Sequence, residues 1–533
     1  MFYIHLHQAD FEASVVLNMQ TTTPPLAQRY VFKLLANIAS VPVYLVMEAL
    51  LPRALGPAMY GNYSFATNLF QQLFGFLDMG TSTCFYNALS RRQEETALIS
   101  FYLRLTLFIF ALAALVALLL LYEPVGALFM PSMPLWLAPL AALWAFLTWW
   151  GRVLRSMNDA LGLTISSEII RTLISLLALA ILVMLFLAEE LNIWSLFGQQ
   201  YLMLAATAGA FFWVTIKSCR ERNVPMHLQL ATEKIHAYRR EFFNYSHPLL
   251  IQALISFLML TFERWLLQWF NGSAEQGFFA LSQKVSMACF LFVSAMTPLV
   301  MRELSIAWGQ KDTKAMGHLI TRFAPLLYVV AAYFSCFTLS EGQALVNLFG
   351  GDQFQQALLP VQIMALYPLH QAYGQLAGSV FHASGKTHIL RNIAIIECIY
   401  GLALTWLFIA PTNCLGFGLG ATGLAIKTVC VQFITVNVYL FIASRFIPLN
   451  FLHNLRHQIL SLGFLLLLAF AGRELTIYLE LGSATSVTRF FLSGVSYTLF
   501  VVIACFIFPQ LLGFKRQELR ELLHRFLPWC KNN

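Results

Sequence analysis

Apolar runs of about 20 residues, the length a helix needs to cross a bilayer, recur fourteen times along this chain. Short clusters of Lys and Arg separate them. In lipid only helices and closed barrels satisfy their own backbone groups, and a barrel would need short alternating strands instead of long continuous runs. Composition agrees, with 59% hydrophobic and 11% charged residues against roughly 45–50% and about 25% in an average soluble domain. A water-soluble fold and disorder are thereby excluded. The nine Cys lie mostly in apolar runs, with no CxxC and no His/Cys spacing suited to zinc, so a disulfide scaffold drops out too. The expected fold is an all-α polytopic membrane protein of about 14 transmembrane helices.

The runs lie near 34–51, 62–89, 98–122, 133–150, 162–187, 193–216, 243–270, 276–301, 319–339, 356–382, 389–409, 416–443, 459–471 and 490–514. The thirteenth is the shortest. Residues 1–32 lack a basic start leading into an apolar stretch and a small-residue cleavage site, so they are read as a cytosolic tail and not a signal peptide. Met19 offers an alternative start. Basic residues are retained in the cytosol. With the N-terminus inside, 26 of the 33 Lys and Arg fall in or beside inner loops and tails, and only Arg53 and Arg473 fall clearly outside. Both termini are therefore expected in the cytosol. The net charge of +8 gathers on that face, where it suits anionic membrane lipids and calls for no nucleic-acid partner.

A weak internal duplication organises the chain, as it does many transporters. "ALLPRALGPAMYGNYSFATN" from Ala49 matches "RWLLQWFNGSAEQGFFALSQ" from Arg264, with Gly56 and Gly61 corresponding to Gly272 and Gly277 at an offset of 216. "GRVLRSMND" from Gly151 resembles "GSVFHASGK" from Gly378 at an offset of 227. Each match relates two loops six spans apart. The division expected is an N-lobe over 33–216, a basic cytosolic linker over 217–242, a C-lobe over 243–445, a final helix pair within 446–514 and a basic cytosolic tail over 515–533.

The stretch "LPRALGPAMYGNYSFATNLFQQLFGFLDMGTSTCFYNALSRR" resembles the first hairpin of the polysaccharide flippases, the Wzx-type translocases of the multidrug/oligosaccharidyl-lipid/polysaccharide (MOP) exporter superfamily. "ERWLLQWFNGSAEQGFFALSQK", "LVNLFGGDQFQQA" and "FHASGKT" are similar to signatures of its second half. The resemblance implies two MATE-like lobes of six helices around a central cavity, residence in a bacterial inner membrane, and alternating-access export of undecaprenyl-pyrophosphate-linked oligosaccharide, such as an O-antigen repeat unit. It implies no cofactor, a monomer, and a glycan polymerase and chain-length regulator as partners. The chain departs from the lipid II flippase branch in lacking an Arg-rich first hairpin.

A charge near the bilayer midplane costs at least about 2.5–3.5 kcal/mol, so it usually faces a cavity or a partner. Ser64, Thr67, Asn68, Gln71, Gly75, Asp78 and Ser82 recur at three- and four-residue steps and form one polar face of the second span, lining a wet cavity or a helix contact. The 216 offset carries Asn68 onto Lys284 and pairs Glu48 with Arg264, which is opposite in sign. Lys427 has no acid three or four residues away and needs a substrate or a remote partner, whereas Arg171 has Glu168 at i−3. Arg264, Lys284, Lys427 and Arg171 are the candidate cations for a pyrophosphate, whose charge is costly to desolvate. Glu48, Asp78 and Glu263 are candidate acids for a driving H⁺ or Na⁺. A multidrug cation exporter of the same superfamily is the alternative and should prefer carboxylates in its cavity. A membrane glycosyltransferase or polymerase generally needs a sizeable outer loop with catalytic acids. Here the longest loop is cytosolic, and "SGKT" at 384–387 lacks the first Gly of a phosphate-binding loop.

Overall fold

The computed structural model describes residues 26–221, 232–294, 297–479 and 486–512. The tails beyond them and part of the basic linker lie outside the described residues. All regular structure among the described residues is helical: α1 (Leu26–Asp78), α2 (Thr81–Arg91), α3 (Thr96–Leu119), α4 (Glu123–Phe129), α5 (Leu137–Ala160), α6 (Thr164–Leu187), α7 (Ile193–Glu221), α8 (Thr232–Ser246), α9 (Leu250–Ser294), α10 (Thr297–Gly309), α11 (Thr313–Ser340), α12 (Gly342–Phe349), α13 (Leu358–Met364), α14 (Tyr367–Ala383), α15 (Thr387–Ile409), α16 (Gly420–Ala443), α17 (Phe451–Tyr478) and α18 (Ser486–Ile507). Among the described residues nine helices are long and apolar enough to cross a membrane: α3, α5, α6, α7, α11, α15, α16, α17 and α18. The chain is a multi-pass membrane protein. The five remaining apolar runs fall on helices that are broken: α1 with α2, α9 with α10, and α13 with α14. The shortest run, 459–471, is the middle of the 28-residue α17, its ends hidden in the sequence by His453, Arg456, His457, Arg473 and Glu474.

Two compact units are present. One comprises the chain up to Met47 together with Ala66–Met130 and Pro134–Thr261; the other comprises Glu48–Phe65, Pro131–Met133 and the chain from Phe262 onward. In the first, Phe74, Phe85, Leu98, Tyr102, Leu137 and Trp149 are buried, with the Phe85 and Tyr102 rings stacked 4.2 Å apart. In the second, the core runs through α10, α11, α14, α16, α17 and α18 and includes Leu304, Ile320, Tyr328, Tyr373, Val436 and Leu465.

The duplicated glycines are where the two longest helices break. Gly56 has φ 69°, ψ 169° inside α1, and Gly272 has φ 80°, ψ −174° inside α9. Both conformations belong to a region that only glycine enters without strain. The other two glycines of the repeat bring the segments into backbone contact. A Cβ on Gly61 would lie 1.8 Å from the Ser273 carbonyl oxygen, and one on Gly277 would lie 2.2 Å from the Pro57 carbonyl oxygen. The 216 offset carries Pro57 onto Ser273 and Gly61 onto Gly277, so each repeat presents the same pair of residues to the other. Ser273 Oγ also donates to Asn62 Oδ1 at 2.6 Å. Of the second sequence match, Gly151 to Asp159 lie within α5 and Gly378 to Ala383 within α14, so these segments are largely helical where loops are expected, and Ser384 to Lys386 follow the end of α14.

The polar face expected from Ser64 to Ser82 ends at Asp78, because Met79 (φ 42°) and Gly80 (φ 78°) break the helix there. Ser82 opens the next helix. Asp78 accepts from the Ser82 backbone N–H at 3.0 Å, Ser82 Oγ at 2.7 Å and Thr81 Oγ1 at 2.9 Å. It therefore caps the start of α2 and satisfies donors that a helix start leaves open.

Substituting Gly277→Ala is expected to lower the thermal stability of the detergent-solubilised protein by about 1–3 kcal/mol through overpacking. Gly75→Ala, at a helical position with open space around it, should be neutral or stabilising by about 0.5–1 kcal/mol. Thermal denaturation of the two variants beside the parent measures both, and a Gly277→Ala protein as stable as the parent would remove the crossing from the account.

Candidate functional site

Three of the four candidate cations converge in the second unit, on α9 and α16, with Glu48 of α1 beside them. The reversal at Gly272 makes this possible. In a straight helix Arg264 would stand about 18 Å from Gln276 and about 28 Å from Gln283, at 1.5 Å per residue. Here the Arg264 guanidinium donates to Gln276 Oε1 at 3.0 Å and to Gln283 Oε1 at 2.5 Å. The Gln276 amide donates back to the Arg264 carbonyl oxygen. Arg264 is buried, and its guanidinium lies 4.5 Å from the centre of the Phe279 ring, a favourable cation–π position. One arginine thus ties together the two halves of α9.

The neighbours of that network in the chain carry the ion pairs. Lys284 Nζ meets Glu48 Oε1 at 2.5 Å. Lys427 Nζ pairs with Glu263 Oε1, so the remote partner that Lys427 requires is Glu263. Helix α16 is held against α9 at a second point, where Glu275 Oε2 accepts from the Ala421 backbone N–H at 2.6 Å. That contact places a carboxylate at the positive end of α16. The Glu48–Arg264 pairing expected from the repeat is not the one formed: Glu48 takes Lys284, and Arg264 takes two amides.

The two ion pairs differ in environment. The Lys427 and Glu263 side chains are 3% and 11% exposed, whereas that of Lys284 is 40% exposed. Removing one partner of a buried pair leaves an uncompensated charge and costs about 3–5 kcal/mol, while exposed pairs contribute about 0–1 kcal/mol. The Lys427 pair therefore holds α16 to α9. Lys284 is the more exposed of the two lysines.

In the first unit Arg171 pairs with Glu168, as the i,i+3 spacing permits: Nη2 stands 2.9 Å from Oε2. The other carboxylate oxygen of Glu168 is held by Arg155, whose Nε donates at 2.9 Å. Glu168 is fully buried between two guanidiniums that are each about one quarter exposed. In the sequence Arg155 counts among the 26 basic residues expected in or beside inner loops. Thirteen residues separate it from Glu168, across the turn at Gly162 (φ 82°), and no spacing rule links them. Asn68 and Gln71 are half-buried on α1, and Asp78 serves as the helix cap already described. Gln276 and Gln283, the amides that hold Arg264, carry no charge to mark them in the sequence.

Glu263→Ala is expected to destabilise the protein by about 3–5 kcal/mol by stranding Lys427, and the double variant Glu263→Leu/Lys427→Met should recover most of that loss. Melting curves of the three proteins test the pairing; if the double variant melts no higher than the single one, the ion pair is not what Glu263 contributes.

Residues 26–301 match the model of a family described as "Polysaccharide biosynthesis protein". No curated protein sequence matches the chain. Among solved structures, the fold resembles the lipid II flippase MurJ in an inward closed conformation, with TM-score 0.65 and 11% identity over 89% of this chain and 98% of that one. It also resembles a multidrug resistance MATE family transporter of the MOP superfamily. The inward-facing form gives TM-score 0.58 and 13% identity over 77% of this chain and 94% of that one. The outward-facing form gives 0.52 and 13% over 79% and 94%. At such identities the likeness is one of fold. The matched family spans 276 of the 533 residues, and the chain is accordingly a member of the polysaccharide biosynthesis protein family, built on the fold of the MOP-superfamily flippases and transporters.

Proposed function

We propose that the protein is a flippase that carries an undecaprenyl-pyrophosphate-linked oligosaccharide, such as an O-antigen or exopolysaccharide repeat unit, across a bacterial inner membrane by alternating access. The observation that carries this reading is the gathering of Arg264, Lys284 and Lys427 on two helices of one unit, in a chain of a polysaccharide biosynthesis family. A pyrophosphate brings concentrated negative charge into a low-dielectric region, and cations already fixed there offset its desolvation. Lys284 is the first contact in this scheme. An arriving phosphate competes with Glu48 for the ammonium, and the displaced carboxylate becomes free to take up a driving H⁺ or Na⁺. Arg264, held by Gln276 and Gln283, offers an oriented guanidinium behind it. In the first unit, Arg171 and Arg155 share the carboxylate of Glu168 and are each partly exposed.

The two six-helix lobes, the cytosolic termini, the monomeric state and cooperation with a glycan polymerase and a chain-length regulator belong to the same proposal. Its support is the basic-residue count and the repeat in the sequence.

A hydrogen bond to a charged group contributes about 1.5–3 kcal/mol, or about one to two orders of magnitude in affinity. Lys284→Ala is therefore expected to reduce surface-polysaccharide assembly about tenfold or more in cells lacking the native protein, at unchanged protein level, with Lys284→Arg retaining part of it. Full assembly by both Lys284→Ala and Arg264→Gln would overturn the cationic reading. Raised resistance to cationic drugs on expressing the parent, without any effect on glycan, would favour the multidrug alternative.

A further inference from the structure

Away from the charged helices, a cavity of about 690 Å³ opens in the second unit between α11, the first turns of α17 and the residues that follow α18. It combines two kinds of lining. Pro325, Leu460, Phe464 and Phe508 form apolar walls, with the Phe464 and Phe508 rings 6.0 Å apart in an edge-to-face contact. Arg456, His453 and His457 stand at the same opening. Arg456 is exposed, and the exposed surface beside it is apolar, Leu460 and Phe508 being more than half exposed.

The polar groups define what an occupant must offer. Arg456 carries a permanent charge and five donors, geometry suited to a phosphate. His457 Nε2 lies 2.9 Å from the Leu511 carbonyl oxygen and 3.2 Å from Ser461 Oγ; a carbonyl oxygen can only accept, so the nearer contact is satisfied with the proton on Nε2. The buried Nδ1 is left as an acceptor with no hydrogen-bond partner among the described residues. Pro325 sits inside α11 and has no N–H, which deprives the Thr321 carbonyl, four residues earlier and also lining the cavity, of its helical donor. The site therefore presents a phosphate-binding guanidinium, two acceptors wanting donors, and an apolar slot that opens onto a lipid-facing surface.

We propose that this cavity binds a membrane glycerophospholipid whose headgroup bears hydrogen-bond donors, phosphatidylglycerol or phosphatidylethanolamine, from the leaflet that the basic residues face. The phosphate lies against Arg456, the headgroup hydroxyls or ammonium donate to His457 Nδ1 and the Thr321 carbonyl, and an acyl chain lies along Leu460, Phe464 and Phe508. Phosphatidylcholine has the same phosphate but no donor and is the matched control. The inference does not depend on what the protein transports.

Native mass spectrometry of the full chain, delipidated and then exposed to each lipid in turn, tests this. One bound phosphatidylglycerol or phosphatidylethanolamine per chain is expected, retained about tenfold better than phosphatidylcholine, with Arg456→Ala weakening retention of every lipid about tenfold. His457→Leu should erase the preference over phosphatidylcholine while leaving phosphate-dependent retention, a separation that general loss of structure would not produce. Melting in lipid-free detergent confirms that each variant is folded. Equal retention of all three lipids by the parent, undiminished retention by Arg456→Ala, or no bound lipid at any composition would each overturn the proposal.

Discussion

The contact on which the second unit depends is between backbones. Gly61 meets the Ser273 carbonyl and Gly277 meets the Pro57 carbonyl at distances that no Cβ could share. Without side chains to separate them, the first helices of the two repeats cross closely enough for Glu48 to reach Lys284. The breaks at Gly56 and Gly272 interrupt the two helices beside that crossing, and at Gly272 the chain turns back far enough for Arg264 to reach Gln276 and Gln283. Small residues at helix contacts are how membrane helices gain close packing when lipid supplies no hydrophobic drive between them. Here the same glycines also determine which charges meet.

Charge burial imposes the next constraint. A lysine or arginine on a membrane-spanning helix must be wetted or partnered, and Arg264, Lys284, Lys427 and Arg171 each have a partner within their own unit. The partners differ in kind. Lys427 has a carboxylate in a nearly closed environment and contributes to helix packing. Arg264 is satisfied by neutral amides, which hold it in place without cancelling its charge. Lys284 pairs with Glu48 at a more exposed position. The four cations of the sequence thus differ in burial and in partner: Lys427 and Arg264 are buried, whereas Lys284 and Arg171 are partly exposed and each pairs with a carboxylate.

Much of this was legible in the sequence. The membrane class followed from run length, and the equivalence of Gly56 with Gly272 followed from the repeat; that both are helix breaks appears only in the structure. The i,i+3 link of Glu168 to Arg171 was a local rule. Partners separated by more than a few turns were not readable in this way. Arg155, Gln276 and the Glu263–Lys427 pair lie 13, 12 and 164 residues from their partners. The Glu48–Arg264 pairing failed for a related reason. Equal offsets identify equivalent positions, but two crossing helices bring a residue to the side chains opposite it, which need not be its own equivalent.

By itself, the sequence determined that the chain enters the membrane as helices and that Gly56 and Gly272 hold matching places in two similar segments. Each of these depends on composition or spacing along one segment, where hydrophobic transfer and helical geometry act locally. Only the tertiary structure decided that Glu48 meets Lys284 and Glu263 meets Lys427, that Asp78 and Glu275 each satisfy donors at the start of a helix, and that a proline of α11 shares one cavity with two histidines and an arginine of α17. Those outcomes depend on helix crossings and chain reversals. A single Cβ or a single left-handed glycine sets their geometry, and no periodicity in the sequence records it.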